Sequence, residues 1–580
     1  MSFVYKPLLQ PRSIRLLHLH PAPWDEPVRC SLVLADIGNE LLVYEAISYA
    51  WGDATDRKSV ICDGSDVSVT RSLFEALQRF RHEDTIRVLW ADAICINQQD
   101  DEEKSTQVQL MRFIYEKASK VLIWLGHEDH EKVQTVLGEI CRYLSYRATK
   151  RLRGRQVSYQ WRDRIMTFPM DEWSCVEKYA VSQPLSHICS APWFGRGWVI
   201  QEVALSSSAD IFWGHAKINF DLIGLAVKNA MRTGGFHTND SANARHAYLI
   251  YLMFQSKYYS EWLMSFYSLL ESTDHFAFSE RKDRVYGLLG LRTTESEHTT
   301  EQSFIDPDYE GTTVDCFKKV TEKFIFEQRD FRLLSRVHHG LGLETDWPSW
   351  VPLWDKPPGE IFMNRFRGSE LTTDAVVMKE TCRGVECICI QGYRIDALDH
   401  QIHQYKDVVP SPSDIDQVKR VQALLRQLEG TYSAECLVSA FDNSPEPVTG
   451  GIPDKLVRYR KFMEWDPPMP QDDSHSLTDC TSRRALFHRK AVYFYNEYNK
   501  IWNGHALFVT AKGMLGLGPE AMRSGDVVVH LFCSPVPFVL RPVDGLWRLV
   551  GECYVYDVVE GSIVKELKES GMPAEKFCIY

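Results

Sequence analysis

An α/β amino-terminal domain built on a mainly parallel sheet is predicted by three short apolar runs, at residues 88–91, 121–125 and 211–213, separated by helical patterns. Each run stops abruptly, at Asp92, Gly126 and Gly214. Runs that are apolar throughout, rather than alternating, suit strands covered on both faces, as in parallel sheets. Between the first two runs, Asp100 or Asp101 can cap a helix, and Glu103 stands three residues after Asp100 as a capping box requires. On that helix Val108, Met111, Tyr115 and Ala118 form a stripe that Leu110 and Ile114 widen, so it packs on a sheet. Residues 86–126 therefore read as a right-handed βαβ unit with its two strands paired in parallel. Strands are expected over 86–92, 120–125 and 210–213, and helices over 101–118 and 194–205. Ligands of such sheets gather at the carboxyl ends of strands, where Asp92, Asn97, Gln98 and Gln99 lie.

The flanking segments follow from the same rules. Residues 13–37 read as a hairpin, since Val28, Cys30, Leu32 and Leu34 alternate with more polar neighbours and Pro21, Pro23 and Pro27 mark the bend. Residues 44–53 are a strand ending in Trp51-Gly52, and 59–69 form a small hairpin about Asp63-Gly64. Thr70 is placed to cap a helix carrying Leu73, Leu77 and Phe80. Residues 130–190 are irregular and polar and read as an insertion. From 243 to 345 the pattern is helical, with Arg281 to Leu291 its most distinctive stretch. Segments 407–415 and 443–475 are rich in Pro, Ser and Asp and read as surface loops, and beyond about 497 strands return, as in a small antiparallel sheet or barrel. Three regions result: residues 1–225, a helical region at 226–345, and a mixed, mainly β region at 346–580.

A chain of 580 residues exceeds a single core, which fits that division. Lys+Arg 66 against Asp+Glu 78 leaves a net charge of −12, which argues against a dedicated nucleic-acid binder. The basic cluster Arg147, Lys150, Arg151, Arg153 and Arg155 reads as a solvated face. No apolar run is long enough to span a membrane, and Met1 to Pro23 lacks a signal-peptide core, so a cytoplasmic protein is expected. The 15 cysteines form no framework. Cys382, Cys387 and Cys389 lie close together without a second pair nearby, so free thiols are expected rather than a zinc knuckle.

Several signatures are missing or fail on spacing. There is no phosphate-binding P-loop and no nucleophile elbow. Gly513, Gly516 and Gly518 precede no helix and read as a turn between strands. His127 and His130 are three residues apart, not the four of a zincin helix, so His127-Glu128-Asp129-His130 reads as a solvated turn and no metal is expected.

The helix around Glu202 is apolar nearly all round, with Phe194, Trp198 and Leu205 on one side and Val199, Ile200, Val203 and Ala204 on the rest. Gln201 and Glu202 sit inside it. A carboxylate there must be paired, protonated or set in a polar cavity. Two readings stand: a structural ion pair, with Arg196 or another arginine, or a site carboxylate with a shifted pKa. Asp92 poses the same choice between capping its own loop and lining a site.

Three stretches resemble the heterokaryon-incompatibility (HET) domain of filamentous fungi: Tyr44 to Gly52, Trp90 to Gln98 and Arg196 to Glu202. Residues 281–291, 305–309 and 525–554 also resemble segments commonly found after that domain in such proteins. The resemblance implies non-self recognition between fungal cells, with a cell-death effector, an incompatibility partner protein and scope for self-association. It also implies a TIR-like, doubly wound fold. Some TIR domains cleave NAD at the nicotinamide–ribose bond with a helix-borne glutamate, whereas others only assemble. By that analogy NAD is a candidate substrate and no cofactor is needed. Glu202, assisted by Asp92, would be the catalytic carboxylate, Trp51 or Trp198 would stack on a base, and Asn97, Gln98 and Gln201 would donate hydrogen bonds. With no glycine-rich phosphate cradle, Arg196 would meet the pyrophosphate. The alternative is a non-enzymatic assembly module whose carboxyl-terminal half senses the partner.

Overall fold

The computed structural model describes residues 3–147, 157–168, 181–232, 241–259, 263–295, 303–337, 347–356, 376–402, 415–441, 451–464, 504–559 and 562–580. Two compact units result, Met1–Cys316 and Phe317–Tyr580. The helices at Ser241–Ser256, Phe266–Ser272 and Asp283–Tyr286 belong to the first of them. Most of the basic cluster, at 148–156, and the loop at 407–414 lie outside the described residues.

In the first unit β1 (Ser13–Leu19) and β2 (Arg29–Asp36) form the predicted hairpin, with Leu16 opposite Val33. After β3 (Glu45–Tyr49), strands β4 (Arg57–Cys62) and β5 (Ser65–Thr70) form the second hairpin. Asp63 and Gly64 take φ of 48° and 80°, the left-handed pair that a two-residue turn of matching twist needs. Helix α1 (Arg71–Phe80) begins after Thr70 as expected, but the Thr70 side chain does not cap it. Then come β6 (Arg87–Trp90), the short α2 (Asp92–Cys95), α3 (Asp101–Lys117) and β7 (Lys120–Trp124). The Asp100 side chain accepts from the Glu103 backbone N–H at 3.0 Å, the first half of the capping box. The second half is diverted. Glu103 turns its carboxylate to Arg15 at 2.6 Å and to the Asn97 N–H at 2.7 Å.

Residues 130–190 are more regular than expected. They hold α4 (His130–Arg147), the hairpin of β8 (Val157–Trp161) and β9 (Arg164–Phe168), and α5 (Ser182–Cys189). The sequence misleads there because β9 is exposed along most of its length and lacks an apolar face. Next come α6 (Trp198–Ala204), β10 (Ala209–Trp213), β11 (Ala216–Asn219), α7 (Phe220–Arg232) and α8 (Ser241–Ser256). The helix expected over 194–205 is split, with a 3-10 turn at Pro192–Gly195 ahead of α6.

Eleven strands form one sheet in the order β5-β4-β2-β1-β6-β3-β7-β10-β11-β8-β9. The three predicted strands all lie in it, but two expectations are corrected. Strands β6 and β7 are not neighbours: β3 lies between them, parallel to both, with Ala46 opposite Trp90 on one side and Val121 on the other. Parallel pairing is confined to β6-β3-β7-β10 and to β2 with β4, so the sheet is mixed rather than mainly parallel. The flanks are antiparallel: hairpins supply most of them, because short turns permit no other pairing, and the long-range pairs β1–β6 and β11–β8 join them to the rest. The burial supports the reading of the runs themselves, since all of β10 and most of β7 are buried.

The second unit is β-rich. Its strands are β12 (Val377–Cys382), β13 (Val385–Ile402), β14 (His505–Thr510), β15 (Leu515–Pro519), β16 (Val527–Leu531), β17 (Phe538–Val543), β18 (Leu546–Glu552), β19 (Tyr554–Val555) and β20 (Glu575–Ile579). The long β13 pairs with β12, β14, β16 and β20. Since β16 also pairs with β17, β17 with β18 and β18 with β20, the path returns to β13 and closes, with β12 and the β14-β15-β19 arm extending from it. Gly513 makes the turn between β14 and β15, at φ 84°. Part of the expected loop at 443–475 is a helix, Gly451–Met463. Pro453 is tolerated there because the first turn of a helix needs no amide donor.

Candidate functional site

The carboxyl end of β3 organises the first unit's polar centre. Ser48 is fully buried, an isolated hydroxyl in a strand of apolar neighbours. It donates to Glu202 Oε2 from α6 and accepts the Trp193 indole N–H at 2.8 Å. The next residue, Tyr49, donates its phenol to Asp92 Oδ1 at 3.0 Å, and its carbonyl accepts from the Arg196 guanidinium. Two successive residues of one strand thus hold both carboxylates.

Glu202 is 3% exposed. Burial pushes its pKa up to about 7, opposed by the Arg196 charge, reinforced by the Asp92 charge and opposed by the Ser48 hydrogen bond. Arg196 acts on it through space but bonds to the Tyr49 carbonyl, so the carboxyl is held by a hydroxyl rather than by a contact ion pair. Burial, with the Asp92 charge second, likewise drives the Tyr49 phenol well above its usual range. Burial and the charges of Glu202 and Asp92 do the same to Tyr115 of α3.

Both carboxylate oxygens of Asp92 are engaged in hydrogen bonds. Its Oδ1 accepts from the neighbouring Ala93 N–H at 2.8 Å, although no side chain caps α2, while Oδ2 accepts from the Trp51 indole at 3.1 Å. Trp51 itself is 37% exposed. The Gln98 amide donates to the Asp92 carbonyl at 2.9 Å. The Asn97 side chain is engaged within its own turn, accepting from the Gln99 N–H at 3.3 Å.

Gln201 and Trp198 face another neighbour, the stretch over 281–291. The Trp198 indole donates to Asp283 Oδ2 at 3.0 Å, and Tyr309 donates to the other oxygen at 2.5 Å. Burial raises the Asp283 pKa, and those two hydrogen bonds oppose the shift. A Cβ added at Gly290 would lie 2.6 Å from the Gln201 amide nitrogen, so glycine permits that close approach. The Gln201 side-chain Oε1 is buried with no hydrogen-bond partner among the described residues.

Asp92, Gln98, Trp51, Arg196 and Glu202 are therefore linked through β3 and its neighbours, while Asn97, Gln201 and Trp198 serve adjoining contacts. Ser48, Tyr49, Trp193 and Asp283 also belong to the network. Ser48 was legible as a polar residue in an apolar strand. Nothing local marks Trp193, whose role depends on a partner 145 residues away. One cavity of about 280 Å³, lined by Phe3, Lys6, Arg15, Leu32 and Asp63 among others, shares none of these residues. Chemically, burial pushes the Glu202 carboxyl up to about 7, and only 3% of the residue is exposed.

Residues 44–202 match the family described as "Heterokaryon incompatibility protein (HET)", and residues 472–571 match the "Het-6 beta-barrel domain". The chain is 23% identical, over an alignment of 655 residues, to "Heterokaryon incompatibility protein 6, OR allele" of Neurospora crassa, covering 95% of this chain and 94% of that protein. No solved structure matches the chain. The family match begins at the strand that carries Ser48 and ends on Glu202 itself.

Proposed function

We propose that this chain, a heterokaryon incompatibility (HET) domain protein, acts in fungal non-self recognition as an effector of programmed cell death that works by assembly rather than turnover. Residues 1–225 would act as the cytoplasmic HET module, and the carboxyl-terminal half would sense an incompatibility partner. The observation that carries this reading is the burial of Glu202 together with Ser48 and Trp193. A carboxyl closed off by its own hydrogen bonds supports the packing of α6 on β3 and is out of a substrate's reach. The test is to incubate the purified protein with NAD and measure nicotinamide, alongside Glu202→Gln in a fungal toxicity assay. The assembly reading expects no nicotinamide, and toxicity that follows self-association.

A second reading, TIR-like NAD cleavage, is favoured by one separate observation: Asp92 and the exposed Trp51 are joined at a strand's carboxyl end. Breaking the nicotinamide–ribose bond builds positive charge on the ribose, which a carboxylate stabilises before water adds. Nicotinamide release that Glu202→Gln abolishes, with thermal stability intact, would replace the assembly reading with this one.

A further inference from the structure

In the second unit, three thiols that are far apart in the chain meet at one point. The Sγ atoms of Cys382 on β12, Cys389 on β13 and Cys578 on β20 all lie within 4.8 Å of one another. Cys389 and Cys578 sit directly opposite each other in the antiparallel β13–β20 pair, with sulfurs 3.0 Å apart. Cys382 ends β12, and the next residue, Arg383, reaches the β17–β18 turn, where it donates to the Asp544 carbonyl at 2.6 Å. A carboxylate stands beside the three thiols: Glu380 Oε2 lies 3.9 Å from the Cys382 sulfur, and both Glu380 oxygens pair with Lys576 at 2.7 Å.

We propose that Cys382, Cys389 and Cys578 bind a thiophilic metal ion, Zn²⁺ in the case tested, with Glu380 as the fourth donor. Tetrahedral zinc takes sulfur at about 2.3 Å and carboxylate oxygen at about 2.0–2.2 Å, so donors already clustered this closely need only small adjustments. Binding requires the thiols to lose their protons, three per ion, and the cation favours that loss. Three thiolates and a carboxylate exceed the charge of one divalent ion. The Lys576 ammonium beside Glu380 offsets one unit of the excess. Cys387, two residues before Cys389 and buried beside the cluster, stays outside the donor set, and its thiol is pushed up to about 11 by burial. The ion would tie β12, β13 and β20 together, a structural role in the barrel-like unit. The Cys-x-Cys spacing hid this site from the sequence because its third thiol comes 189 residues after Cys389.

The experiment uses the full chain, purified under a non-chelating reductant. Bound zinc is counted by elemental analysis, and metal-depleted protein is titrated with Co²⁺, whose thiolate charge-transfer absorption reports sulfur coordination. The expected result is one ion per chain with sulfur-coordinated cobalt. Cys578→Ser should lose both, and the surface variant Glu380→Gln, which leaves the thiols in place, should weaken binding about 10–100-fold. Native protein that binds no Zn²⁺, binding unchanged in both variants, or a mass lower by two hydrogens with Cys389 and Cys578 joined as a disulfide would each overturn the assignment.

Discussion

Ser48 stands between Glu202 and Trp193, donating to the first and accepting from the second at 2.8 Å. One hydroxyl thereby satisfies a buried carboxyl and a buried indole. Ser48→Ala leaves both without their partner, and each lost partner of this kind is worth about 1–3 kcal/mol. Denaturant titration should show a lower midpoint with an unchanged slope. The Glu202 pKa should also rise further, since the hydrogen bond from Ser48 lowers it.

Stability should depend on pH through Glu202. Its carboxyl is held up to about 7 in the folded protein, against an ordinary value of 4.5. The folded state then binds more protons than the unfolded chain between these values. Its contribution is present below about 4.5 and is lost as pH rises through about 7, a change of about 3 kcal/mol. Glu202→Gln carries no titrating group, so its melting temperature should vary less than the wild type's across that range. Equal slopes for the two proteins would refute the shifted carboxyl.

Gly197 opens α6 beneath Phe278, and a Cβ there would come within 1.8 Å of that ring. Gly197→Ala should destabilise the protein by about 1–3 kcal/mol through overpacking. In a Phe278→Ala background the same substitution should have almost no effect. A double-mutant cycle measures the coupling directly.

Arg284, in the stretch that packs behind α6, is buried and paired with Asp274 at 2.9 Å, while also donating to Thr273 Oγ1 at 2.6 Å. Removing Arg284 takes from the buried Asp274 carboxylate its charge partner and from Thr273 a hydrogen-bond donor. Arg284→Ala should lower stability by about 3–5 kcal/mol, measured as the midpoint of chemical unfolding.

How much of this was legible in the sequence depends on the range of each interaction. The runs at 88–91, 121–125 and 211–213 announced their strands because burial on both faces leaves a local signature. The hairpin at Asp63-Gly64 did so because a turn's geometry selects its residues. What escaped was pairing order, since the insertion of β3 between β6 and β7 is written in no single segment. Glu103 satisfied the capping-box pattern, yet Arg15 claimed its carboxylate, a case of tertiary charge overriding a local rule. At the site, the burial of Glu202 followed from its apolar surroundings. Its partner did not: an arginine is the expected partner of a buried carboxylate, and a serine on a central strand takes the place.

The position of β3 has a further consequence for how the chain acquires its structure. β3 leaves the ribosome before either of its neighbours, and β6 and β7, joined by α3, must leave between them a gap one strand wide. The first unit therefore cannot assemble by successive pairing of adjacent segments. Long-range closures of this kind slow folding and expose unpaired strand edges meanwhile. The residue pairs that bridge the gap, Ala46 with Trp90 and Ala46 with Val121, should thus form together and late. A nascent chain halted before residue 120 would hold the Ser48 strand with both edges open, a surface on which chaperones or a second copy of the chain could act before the unit is complete.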